Sequence, residues 1–191
     1  MSHVSALDVP SFPRPLFITD AVMNISPSLE EKRDITQNAI DLLRALGATE
    51  PKVAILSAQE TLSSKLPSSF DAAVLCKMAE RGQITGGILD GPLGFDAAVS
   101  DTAAKAKGVN SAVAGDASVL VVPDLEAGSI LLKQLEYMAD ALIAGVVVGA
   151  RVPVVVASRS DNKLARLGSC ALALLAARHK EVAASSSVPN D

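Results

Sequence analysis

The chain has no tryptophan, and aromatic residues fill only 3% of its 191 positions. A core must therefore come from Ala, Val, Leu and Ile. That suits helices packed on a sheet and argues against a small barrel centred on aromatic rings. Cysteine is scarce as well, with only Cys76 and Cys170, both in apolar, helix-like surroundings. A reduced, cytoplasmic setting fits this better than a disulfide framework. Lys and Arg are nowhere clustered and the net charge is −4, which speaks against nucleic acid as a partner. The N-terminus lacks the basic stretch and apolar run of a secretion signal. The longest apolar run, Val146 to Val156, is broken by Gly149, Arg151 and Pro153. It falls short of the about 20 apolar residues that span a bilayer. No spacing of Cys, His and carboxylates suggests a metal site. No P-loop is present, and no GxGxxG follows the first strand. His3 and His179 lie in or beside the terminal segments, which argues against a catalytic histidine.

What is abundant is apolar surface, at 49% of residues. The length predicts one domain or a little more, at about 150 residues per domain. Residues 1–15, rich in Pro and Ser, read as a loose lead-in, and residues 181–191 as a disordered tail. Between them, strand-like and helix-like patterns alternate. PLFIT (15–19) reads as a strand. Ser28 and Glu31 have capping-box spacing, and apolar residues from Ile35 to Leu46 recur at helical intervals before Gly47. KVAILS (52–57) reads as a strand, 69–81 as a helix, ITGGILDG (84–91) as a strand and 95–107 as a helix. SVLVVPD (118–124) reads as a strand and 125–144 as one long helix. Residues 145–149 and 153–157 read as two central strands, and 163–178 as the last helix. The order predicts a mostly parallel sheet covered by helices on both faces.

Such sheets gather ligands at the carboxyl ends of their strands. The polar residues there are Asp20 and Asn24, Asp90, Asp124 with Glu126, and the group Ser158, Arg159, Ser160 and Asp161. In the last group, a helix N-terminus and a forked guanidinium suit an anion such as phosphate. The same residues also read as ordinary helix caps beside a solvated arginine. Asp90 and Asp96 flank a Gly-Pro-Gly turn, either a plain strand–helix loop or a cleft wall. Asp124 has N-cap character. Gly128 sits early in a helix, where glycine costs about 1 kcal/mol relative to Ala. Either close approach of a ligand or backbone, or simple tolerance, accounts for it.

The wording of these loops goes further. LFITDAVMNISPSLEEKRDITQNAIDLLRALG, KVAILSAQET, SFDAAVLCKMAERGQITGGILDGPLGFDAAVS and the stretch from AGDASVLVVPD to SRSDNKLARLGSCALAL resemble the phosphate acetyltransferase and phosphate butyryltransferase family. The resemblance runs from about Leu16 to Arg178. It leans to the butyryl branch and to the transferase part of bifunctional enoyl-CoA hydratase/phosphate acetyltransferases. It implies a three-layer α/β/α fold of the isocitrate/isopropylmalate dehydrogenase type, and the reaction acyl-CoA + phosphate ⇌ acyl phosphate + CoA. It implies CoA as a substrate with no permanent cofactor and no metal, small-molecule partners only, no membrane, and a homodimer formed through the second domain. Ser158 and Arg159 match the family's Ser-Arg pair, with Arg on the phosphate and Ser near the thiol and carbonyl. The family's base is a downstream Asp, several residues beyond the pair in the acetyl branch; Asp161, two residues after Arg159, is the candidate for that role here. Asp20, Asn24, Asp90, Asp124, Gly128 and Ser160 are expected to bind substrate. Family members run to roughly twice the about 150 residues of one domain. Residues 16–150 therefore read as a second, cleft-forming domain, and 151–180 as a strand and helix returning to a first domain. An inactive fragment of such an enzyme, or a CoA- or anion-binding module, is the alternative.

Overall fold

The computed structural model describes residues 1–159 and 161–186. In chain order the elements are β1 (Ser2–Asp8), β2 (Leu16–Thr19), α1 (Leu29–Ala45), β3 (Lys52–Leu56), α2 (Pro67–Glu80), β4 (Ile88–Leu93), α3 (Phe95–Val99), α4 (Asp101–Ala106), β5 (Val119–Val121), α5 (Leu125–Met138), β6 (Leu142–Val148) and α6 (Lys163–Ser186). The strands form one six-stranded sheet in the order β4-β3-β5-β2-β1-β6. Strands β2 to β5 run parallel, and β1 lies antiparallel between β2 and β6.

The strands are apolar on both faces because helices cover both. Val53, Ile55, Val119 and Val121 face one way, against Ile40 and Leu43 of α1, Leu75 of α2 and Leu172 of α6. Ala54, Leu56 and Leu120 face the other way, against Ala97 of α3 and Leu132 of α5. Each Val or Leu so buried contributes about 1.5–3 kcal/mol. The predicted three-layer α/β/α arrangement with a mostly parallel sheet is therefore present. Helix α1 starts as its sequence predicts: Glu31 N–H donates to Ser28 Oγ, and Ser28 N–H to Glu31 Oε2.

Four sequence expectations need correction. Residues 2–8 are no loose lead-in but an inner strand, with Val4 fully buried and Leu7 nearly so. The helix expected over 95–107 breaks at Ser100, which is extended and whose Oγ accepts Ala103 N–H to restart the chain as α4. The helix expected over 125–144 stops at Met138; Asp140 then adopts a positive φ of 52° and the chain enters β6. Finally, neither 145–149 nor 153–157 is a central strand. The turn at Gly149 (φ 84°) sends the chain back along β6, the outer strand of the sheet. Only Val147 and Val154 pair, and Val152, Val154, Val155 and Val156 are exposed. At the other terminus α6 continues to Ser186, and residues 187–191 of the expected tail lie outside the described residues. Among the described residues, no helix is long and apolar enough to cross a membrane.

Candidate active site

Because β1 runs antiparallel, its first residues lie beside the carboxyl ends of β2 and β6: Val4 pairs with Thr19, and Ser2 with Val148. Val4 points into the core, so His3 and Ser5 point to the opposite face, toward α5. There they line a cavity of about 380 Å³ together with Gly145, Ser158, Asp161 and Ser169. Leu132 and Ile143 supply apolar walls. A larger cavity of about 640 Å³ lies between the end of α1, Gly149 and Ala176. It holds none of the polar strand-end residues, so the smaller cavity is the better candidate on chemical grounds.

The loop that carries Ser158 is closed on itself. Ser158 N–H donates to Asp161 Oδ2 (2.7 Å), and Asp161 N–H to Ser158 O (3.2 Å). Helix α6 is capped by Asn162, whose Oδ1 accepts Ala165 N–H at 2.9 Å. The capping role expected of Ser158 and Asp161 thus falls to Asn162, while Asp161 orders the loop and faces the cavity. Arg159 is exposed on the same turn, and among the described residues no carboxylate pairs with it. Ser160 lies outside the described residues.

The remaining expected site residues divide. Asp20 is buried beneath the cavity, but protein donors occupy its carboxylate: the N–H groups of His3, Val22 and Met23, and Asn24 Nδ2. Asp20 and Asn24 therefore shape the loop after β2 instead of presenting polar atoms to a ligand. Asp124 caps α5 by accepting Ala127 N–H at 2.8 Å. Its helix delivers Leu125, Ser129 and Leu132 to the cavity wall. Asp90 is not brought here, because β4 is the opposite edge of the sheet; its Oδ1 accepts Gly91 N–H. The neighbouring Asp96 and Glu60 are ion-paired to Lys107 at 2.7 and 2.8 Å. The Lys107 hydrogen bond holds both carboxyls below their usual range, so that loop is closed by its own charges.

Gly128 has a packing reason. A Cβ there would lie 2.7 Å from Val122 Cγ2 and 2.8 Å from Ala21 Cβ. The bare glycine lets α5 press onto the turn that carries Asp20. Gly128→Ala should therefore cost about 1–3 kcal/mol through overpacking, outweighing the about 1 kcal/mol that alanine gains in a helix. Urea unfolding of the variant measures this.

His3, which the sequence places in a loose terminal segment, is instead a buried residue on the cavity wall. It is 5% exposed. Its Nδ1 lies 3.3 Å from Ser5 Oγ, and a Cβ on Gly145 would meet its Nε2 at 2.5 Å. Thr19 Oγ1 donates to its carbonyl at 2.9 Å. Burial pushes its pKa below 6.5, against the opposing pull of the Asp20 and Asp161 carboxylates. Between that lowered pKa and 6.5 the unfolded chain binds the proton and the folded chain does not, so folding stability rises with pH. Stability should thus fall on acidification below about pH 6.5. His3→Gln should flatten that slope in melts taken from pH 7 downward.

At the strand ends of this mostly parallel sheet lies a half-apolar cavity walled by a hydroxyl and a carboxylate, with an exposed guanidinium on the adjoining turn. The chain belongs to the phosphate acetyl/butyryl transferase family: the family described as "Phosphate acetyl/butaryl transferase" matches residues 1–174. It is 59% identical over 183 residues to a phosphate acetyltransferase of Rhizobium meliloti, covering 96% of this chain and 58% of that protein. It is 44% identical over 180 residues to a phosphate butyryltransferase of Clostridium acetobutylicum, covering 94% and 60%. The solved branched-chain phosphotransacylase of Enterococcus faecalis V583 superposes with a TM-score of 0.85 at 34% identity, covering 93% of this chain and 63% of that one. The chain therefore spans roughly three-fifths of each of these three proteins.

Proposed function

We propose that this chain carries a phosphate acyltransferase site, exchanging CoA and phosphate on a short-chain acyl group. The observation that carries the reading is the meeting of Ser158 and Asp161 on one strand-end cavity beside an exposed Arg159 that, among the described residues, pairs with no carboxylate. Phosphate needs fixed positive charge and forked donors; Arg159 supplies both. In this reading Ser158, on the cavity wall, lies near the thiol and the acyl carbonyl, where a hydroxyl donor stabilises the charge that builds on the oxygen. The CoA thiol, with a pKa near 8.5, gains from a nearby proton acceptor, and Asp161 is one group in reach of the cavity. CoA and acyl-CoA act as substrates, with no permanent cofactor. A cytoplasmic homodimer is the assembly in this reading.

Residues 151–180 belong, in the same reading, against a further domain. The exposed Val152, Val154, Val155 and Val156, with Leu164, Leu167 and Leu174 on α6, supply an apolar surface for it. That surface also favours a second reading, in which this chain alone binds CoA without turning it over. The test is free thiol release from butyryl-CoA, or acetyl-CoA, on addition of phosphate. Phosphate-dependent release with matching acyl phosphate supports the transferase. CoA binding by calorimetry without release supports the second reading, and neither result supports a CoA site here.

A further inference from the structure

We propose that His3 is the proton acceptor for the CoA thiol, a role that rests on the transferase reading above. His3 sits on the wall of the cavity shared by Ser158 and Asp161. Its main chain is pinned on both sides, by Asp20 Oδ2 on its N–H and by Thr19 Oγ1 on its carbonyl. Its ring is pinned too, between Ser5 Oγ and the bare backbone of Gly145. The absence of a side chain at residue 145 is what admits the ring. This role takes the tautomer in which Nδ1–H donates to Ser5 Oγ, which puts the lone pair on Nε2, the ring nitrogen beside Gly145.

Burial disfavours the imidazolium and keeps the resting ring neutral, as an acceptor must be; Asp20, from the loop after β2, and Asp161, from the loop before α6, pull the other way and ease a transient proton. From α5, Lys133 and Glu136 also face the cavity, and they neutralise each other in a 3.0 Å ion pair. Asp161 Oδ2 takes the Ser158 N–H, so that carboxylate also holds the loop in place. The step balances without any further reagent. The S–H bond of CoA breaks and its proton passes to Nε2. The sulfur electron pair forms the C–S bond at the acyl carbonyl, and the C–O bond to phosphate breaks. Phosphate leaves and the imidazolium returns its proton to solvent. In reverse, the imidazolium protonates the departing thiolate.

The test is the pH profile of kcat for butyryl phosphate plus CoA, in the full-length protein and in its His3→Gln variant. We expect kcat to fall about 10²-fold in the variant, with little change in KM for CoA, and the acidic limb below pH 6.5 to disappear. A folded variant with unchanged kcat and an unmoved acidic limb overturns the proposal while leaving the transferase reading intact. An inactive wild-type protein overturns both. Should the variant not fold, the His3 C2–H resonance of the wild-type protein decides. Its titration midpoint moves on addition of CoA if the ring meets the thiol, and a midpoint identical with and without CoA overturns the assignment.

Discussion

Arg159→Ala is expected to lower acyl phosphate formation from butyryl-CoA and phosphate by about 10²–10³-fold, the cost of losing one preorganised donor to a developing anion. Arg159 is exposed and, among the described residues, has no carboxylate partner. Its removal strands no buried charge, so the melting temperature should not move. Arg159→Lys should recover only part of the rate, since an ammonium keeps the charge but not the forked geometry. Rates measured at saturating and limiting phosphate locate the defect. A variant with wild-type activity removes Arg159 from the site.

Val4→Asp is expected to unfold the chain. Val4 is fully buried in β1 and packs in the cluster that holds Val53, Val119 and Val146. A carboxylate there carries a desolvation penalty of several kcal/mol, comparable with the 5–15 kcal/mol that holds a whole domain together. Because β1 joins β2 to β6 in the sheet, the damage should also loosen β6, which is then held by its packing on α1 and α6. Circular dichroism melts and urea titration read it directly. A variant as stable as the wild type would mean that residues 2–8 form no inner strand.

The parallel core was legible because its strands are short apolar runs between capped helices. The capping box at Ser28 and Glu31 and the strand KVAILS needed no tertiary information. Strand β1 was hidden because an inner strand here buries Ser2, His3 and Ser5, each at or below 5% exposure. Its polar atoms are satisfied by Asn38 and by one another, for Ser2 and for His3 with Ser5, and no local pattern announces such partners. That hid His3 as well. The valines at 152–156 misled in the opposite direction. A buried-strand composition predicts burial, but Gly149 and Pro153 place the run outside the edge of the sheet. Ser158 and Asp161 were found from their place after an apolar run, and they meet at one cavity. Asp90 was drawn in by the same rule, yet the strand order puts it at the far edge, which only the topology reveals.

A structure of the protein with CoA bound tests the account most directly. The prediction is that the sulfur end of CoA enters the cavity of about 380 Å³, within hydrogen-bond reach of Ser158 and His3, with Arg159 turned to the phosphate position. CoA seated instead in the cavity of about 640 Å³ between the end of α1 and Gly149, with the Ser158 loop untouched, would contradict it.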